Sequence, residues 1–134
     1  MATTTATLTL SSADLTGDAL ALTTIATLSK AGTATGMTET SGVGRKTTAA
    51  TAQYTLFDGN DYAVNGAHKV YLKNTSTTTS EYFTLTINAE EMGRLYAGDW
   101  AFLPWGAHDA DNDIKITPSV STTMTLEYML ISQA

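Results

Sequence analysis

Met124-Thr125-Leu126-Glu127-Tyr128-Met129-Leu130-Ile131 is the stretch on which the reading of this chain turns. Its apolar residues fall at every second position, with Met124, Leu126, Tyr128 and Leu130 on one side, so the period is that of a strand. Met129 and Ile131 put apolar groups on the other side as well. A strand apolar on both faces is either central in its sheet or packed against another subunit. Outward from this stretch the period recurs in residues 114–117, 100–104, 93–96, 82–87 and 69–73. Phe83, Leu85 and Ile87 share one face of 82–87, and Val70 and Leu72 share one face of 69–73. Ala97-Gly98-Asp99, Asp58-Gly59-Asn60-Asp61 and Asn65-Gly66 are turn signals, and residues 75–80 read as a hairpin-like connection.

Residues 5–10 alternate threonine with Ala6, Leu8 and Leu10, and residues 19–28 repeat the idea with Leu20, Leu22 and Leu28. Between these two strands Ser11 to Asp18 is a turn cluster, in which Ser12-Ala13-Asp14 can cap one helical turn. Residues 31–44 hold many Gly, Thr and Ser and few large apolar side chains. They are expected to form a loop or arm that is mobile until a partner orders it. Residues 45–57 return to apolar character at Tyr54, Leu56 and Phe57. With about eight or nine short strands, the chain is expected to be all-β, one β-sandwich domain over 1–134, with a jelly roll as the finer form.

Composition agrees with that expectation. A length of 134 residues and a hydrophobic content of 43% suffice for one core. Threonine accounts for 27 residues, and its branched Cβ suits the exposed face of a strand and disfavours helix. The net charge of −6, with the basic residues scattered, argues against nucleic acid as a partner, because phosphate binding needs a basic stripe. The absence of cysteine excludes disulfides and thiolate chemistry, and stability must come from packing or association. The opening Met1-Ala2-Thr3-Thr4-Thr5 has no leader pattern, and no run approaches the ~20 apolar residues of a membrane helix. A soluble protein made in the cytosol, with no membrane partner, is expected.

The candidate chemical motifs are incomplete. Asp109, Asp111 and Asp113 alternate like the opening of a calcium loop, but Ile114 stands where that loop needs glycine and Val120 where it needs a bidentate glutamate. An acidic turn is the better account, and no metal is expected. Gly42-Val43-Gly44-Arg45-Lys46-Thr47 departs from a phosphate loop, with Glu39 at the first glycine and Arg45 at the lysine. Arg45 and Lys46 are read instead as a basic spot that docks on an acidic patch. His68 and His108 form no paired metal motif, Glu90 and Glu91 point to opposite faces, and Ser11, Ser12 and Ser80 lack a nucleophile elbow. No cofactor and no enzymatic activity are expected. The remaining candidates are interface anchors: Tyr96, Trp100, Phe102, Trp105, Met129 and Ile131, with Arg45 and Lys46. Residues 100–105 have two readings, sandwich core with a covered edge or a docking surface.

The segments Val70-Tyr71-Leu72-Lys73-Asn74-Thr75, Gly93-Arg94-Leu95-Tyr96-Ala97-Gly98-Asp99-Trp100-Ala101-Phe102-Leu103-Pro104-Trp105 and Met124-Thr125-Leu126-Glu127-Tyr128-Met129-Leu130 together resemble small virion structural proteins of tailed bacteriophages. The resemblance extends over nearly the whole chain as a pattern. It implies a capsid cement or decoration protein on the outer capsid surface, synthesised in the host cytoplasm. Its implied partners are the major capsid protein and copies of itself as a homo-oligomer. A tail or head fibre component, including a carbohydrate-binding module that stacks sugars on Tyr96, Trp100 and Trp105, is the alternative.

Overall fold

In the computed structural model, which describes residues 3–15, 17–108 and 110–133, nearly all regular structure is antiparallel sheet. The strands are β1 (Thr4–Ser12), β2 (Leu20–Leu28), β3 (Glu39–Thr40), β4 (Gly44–Thr48), β5 (Tyr54–Phe57), β6 (His68–Asn74), β7 (Tyr82–Ile87), β8 (Glu90–Tyr96), β9 (Trp100–Trp105), β10 (Ile114–Pro118) and β11 (Met124–Ser132). Helix among the described residues is limited to two 3-10 turns, Gly59–Asp61 and Ala110–Asn112. Where the sequence reading placed 1–134 in one domain, the chain divides into two compact units, Met1–Thr38 and Glu39–Ala134.

The larger unit is a β-sandwich. One sheet has the order β5-β10-β7-β8; the other runs β3-β11-β6-β9, with β4 also on β11. From β4 to β11 every connection passes from one sheet to the other except the β7–β8 hairpin. Alternation explains the core. In β6, His68, Val70, Leu72 and Asn74 are buried while the residues between them are half-exposed. Val70, Leu72, Trp105, Leu126 and Leu130 of one sheet meet Phe83, Leu85, Leu95, Ile114 and Ile116 of the other in a single apolar cluster.

Polar groups inside this cluster are fully engaged. The Asn74 amide nitrogen donates to the carbonyls of Leu95 (3.0 Å) and Glu81 (3.4 Å), and its oxygen accepts from the Ser76 amide (3.0 Å). The Asn74 backbone also bonds Gly98 and Asp99, so one side chain ties β6 to the turn before β9. His68 sits among the rings of Tyr62 and Trp105, donates from Nε2 to the Ala63 carbonyl (2.9 Å) and accepts at Nδ1 from the Gln133 amide (3.5 Å). Those two contacts require the neutral imidazole. A Cβ on Gly66 would come within 2.6 Å of this ring, which is why the turn ends on glycine.

The smaller unit is built on one hairpin. β1 and β2 pair over all nine residues without a bulge, from Thr4 with Leu28 to Ser12 with Leu20. Ser12 does cap the intervening turn, its hydroxyl accepting from the Leu15 amide at 3.1 Å. Residues 31–44, expected as a loop or arm, hold a bridge between Ser29 and Gly36, a buried Met37 and the short strand β3. Ser41 bonds Leu130 through both its amide and its hydroxyl.

Two further expectations are corrected. Residues 75–80 do not close a hairpin: β6 pairs with β11 and β9 while β7 pairs with β10 and β8, so the connection crosses between sheets. The actual tight hairpin is β7–β8, where Asn88 (φ 54°) and Ala89 (φ 58°) adopt the left-handed pair of a type I′ turn.

Candidate interaction face

Residues directly opposite in an antiparallel sheet share a face, so the register of β4, β11, β6 and β9 assembles the surface. Phe102, Tyr71 and Met129 form one row across the sheet. Trp100, Lys73, Glu127 and Arg45 form the next, and Pro104, Lys69, Ile131 and Thr40 the one on the other side. All of these point away from the core, since their strand neighbours Leu72, Leu103 and Leu130 point into it.

Exposure differs along the rows. Trp100 keeps 52% of its surface open and Phe102 37%, whereas Ile131 keeps 9%. The Tyr71 hydroxyl donates to Glu127 Oε1 at 3.2 Å, and Arg45 approaches the same carboxylate at 3.7 Å. Partial burial, followed by the bond to the Glu127 carboxylate and its charge, raises the Tyr71 phenol above its ordinary pKa. The face thus has an aromatic centre beside a charged row.

Of the residues singled out in the sequence, Arg45, Trp100, Phe102, Met129 and Ile131 come together here. Trp105 does not. It has the opposite parity on β9, is 4% exposed, packs with Phe57 and Tyr62, and donates from Nε1 to the Asn112 carbonyl at 2.8 Å. Lys46 is likewise on the other side of β4 from Arg45, with its ammonium 5.1 Å from the Tyr54 ring centre, so the two cations make no common basic spot. Tyr96 lies on the outer face of the second sheet, where its ring is 5.2 Å from Tyr82 and Arg94 covers Tyr82 at 4.7 Å. Lys69, Tyr71 and Lys73 were missed in the sequence because they occupy the polar positions of an amphipathic strand.

The other motifs resolve into structural roles. Asp113 is buried, accepts from the Gly59 amide at 2.8 Å and lies 3.5 Å from Lys115 Nζ. Asp109 lies outside the described residues. Among the described residues no group of three His, Cys, Asp or Glu side chains could hold a metal. Residues 44–48, matched against a phosphate loop, are strand β4 and start no helix.

Two clefts lie in the sandwich. The larger, about 570 Å³, opens between the edges β8 and β9 and is lined mainly by Ile87, Met92, Leu103, Pro104 and Trp105, with Glu90 at its border. The smaller, about 280 Å³, is lined by hydroxyls including Thr75, Thr78 and Thr125, where Ser76 donates to Glu81. Neither cleft, among the described residues, pairs a nucleophile with a base. No described helix is long and apolar enough to cross a membrane. No family model, no curated protein and no solved structure matches this chain.

Proposed function

We propose that this chain is a non-enzymatic virion structural protein, a capsid cement or decoration protein that binds the outer capsid lattice through the β4–β11–β6–β9 face. The observation that carries the reading is the exposed Trp100 and Phe102 beside Tyr71 and Met129, flanked by Arg45, Lys73 and Glu127. An aromatic centre with a charged border is the composition of a protein-binding patch, in which Trp and Tyr act as anchors and charges set register. Strand order supports the same reading. Counted from β4 as the first of eight, the sheets run first-eighth-third-sixth and second-seventh-fourth-fifth, which is the order of a jelly roll. Jelly rolls build viral capsid and lectin domains, an analogy of fold rather than of site. The partners are a major capsid protein and further copies of this chain, on a particle assembled in the host cytoplasm.

The test adds purified protein to capsids that lack it and follows saturation and the temperature of DNA release. Wild type should bind and raise that temperature, while Trp100→Ala with Phe102→Ala should weaken binding by at least ~100-fold, as loss of two anchors does. Unchanged particle stability at full occupancy refutes cementing.

The exposed Trp100 and Phe102 also favour a second reading, a sugar-stacking face on a tail or head fibre. Because Trp105 is buried, a tryptophan emission shift during glycan titration would report Trp100. A saturable shift without capsid binding moves the protein to that reading.

A further inference from the structure

We infer that the outer edge of β1 is a pairing site for β1 of a second copy of this chain, joined antiparallel about a two-fold axis at Leu8. The hairpin is a two-stranded sheet with apolar groups on one face, and such a sheet is marginal in water until a third strand joins it. Neither β1 nor β2 contains a charge, a proline or a bulge, the devices that keep an edge from recruiting strands.

The two edges of the hairpin are not equivalent. The outer edge of β2 is partly taken by its own chain, because Ser29 bridges Gly36 and the Met37 amide donates to the Leu28 carbonyl at 3.2 Å. β1 pairs with β2 alone among the described residues. The Leu28 carbonyl turned toward Met37 also fixes the phase. Its partner Thr4, and with it Ala6, Leu8, Leu10 and Ser12, aim their amides and carbonyls at the open edge.

The strand matches itself. With Leu8 opposite Leu8 of the second copy, Ala6 meets Leu10 and Thr4 meets Ser12 on one face, while Thr7 meets Thr9 and Thr5 meets Ser11 on the other. Apolar and hydroxyl faces both stay continuous, and the contact closes as an isologous pair. The result is a four-stranded sheet, above the size at which sheets become stable. Nine paired residues span ~30 Å, and an edge ~10 Å thick buries on the order of 600 Å² over both copies. That is about half the area at which stable interfaces begin, so pairing is concentration-dependent and is favoured wherever copies are held side by side. It does not depend on what the sandwich face binds.

The chain has no cysteine, so Leu8→Cys in the full-length protein introduces a single thiol. Hydrogen-bonded antiparallel partners lie ~5.5 Å apart at Cα, within disulfide reach. Mild oxidation at high protein concentration should link Leu8→Cys copies at least ten-fold faster than Ile25→Cys copies, although Ile25 is the more open side chain at 68%. In sedimentation, Leu8→Lys and Leu8→Glu proteins should each lose self-association and regain it when mixed. Equal linking rates at the two cysteine positions, or self-association of Leu8→Lys equal to wild type, overturns the inference. No capsid is present in either assay, so its outcome is separate from that of the cement reading.

Discussion

β1 and β6 are both written as alternating strands, yet β6 buries every second side chain and β1 buries none of its nine. The difference is the neighbour. β6 lies between β11 and β9, with a second sheet against its apolar face, while β1 has one partner strand. The edges contrast in the same way. In the sandwich β8 carries Glu90, Glu91, Arg94 and a bulge opposite Leu85 and Thr86, β9 ends in Pro104-Trp105, β4 carries Arg45 and Lys46, and β5 has only four residues. Those features stop further pairing, and the hairpin has none of them. Alternation in a sequence therefore specifies a face, and whether that face is buried depends on what the topology sets against it.

The contrast can be broken most directly by truncation. Trp105→Ala should cost about 3–5 kcal/mol, the usual loss for a large buried aromatic, whereas Leu22→Ala in the hairpin should stay within about 0.5 kcal/mol. Urea unfolding monitored by circular dichroism gives both values. Comparable losses at the two sites would mean that the hairpin shares the sandwich's cooperativity. A smaller effect is expected at the polar node. Asn74→Ala leaves the Leu95 carbonyl and the Ser76 amide without their side-chain partner and should cost about 1–3 kcal/mol, read as a lower midpoint at unchanged slope.

Alkaline titration sharpens the comparison further, because the hairpin strands contain no ionisable side chain. Burial raises the phenols of Tyr62 and Tyr71, with added push from Asp61 and from Glu127 respectively. A raised folded-state pKa means that the folded protein holds the proton longer than the unfolded chain. Stability is thus complete below the ordinary tyrosine pKa of 10.0 and falls as pH climbs above it. Melting temperatures should be level from neutral pH to that point and decline beyond it, less so in Tyr71→Phe. The smallest expected effect is a gain. Ala89 sits at φ 58°, a conformation glycine adopts without its Cβ penalty, so Ala89→Gly should stabilise the β7–β8 turn by about 0.5–1 kcal/mol.

How much of this was legible in the sequence follows from what period two encodes. It put Met124, Leu126 and Leu130 inside and Met129, Trp100 and Phe102 outside, because parity along a strand is local information. It could not say which strands pair. Residues 69–73 and 82–87 look like hairpin partners and lie in different sheets, since that choice is made by Asn74, β9 and β11, all distant from the connection. The β7–β8 turn escaped notice because alanine is not a turn residue. Tyr71 escaped because a tyrosine between Val70 and Leu72 reads as the solvent side of a strand, and its row is formed only when Phe102 and Met129 come alongside.

The sheet-crossing connections also set the order of events in time. β4 meets β11 across most of the larger unit, as when Arg45 lies opposite Glu127, and pairings so far apart in the chain place sandwich folding in the millisecond-to-second range. β1 and β2 are joined by a short turn, and hairpins of that kind close in ~1–10 μs. During synthesis the hairpin leaves the ribosome before the sandwich has its last strand. Each new chain therefore displays its open β1 edge to neighbouring nascent chains while the rest is still being made, and copies translated from one message have their first opportunity to meet there.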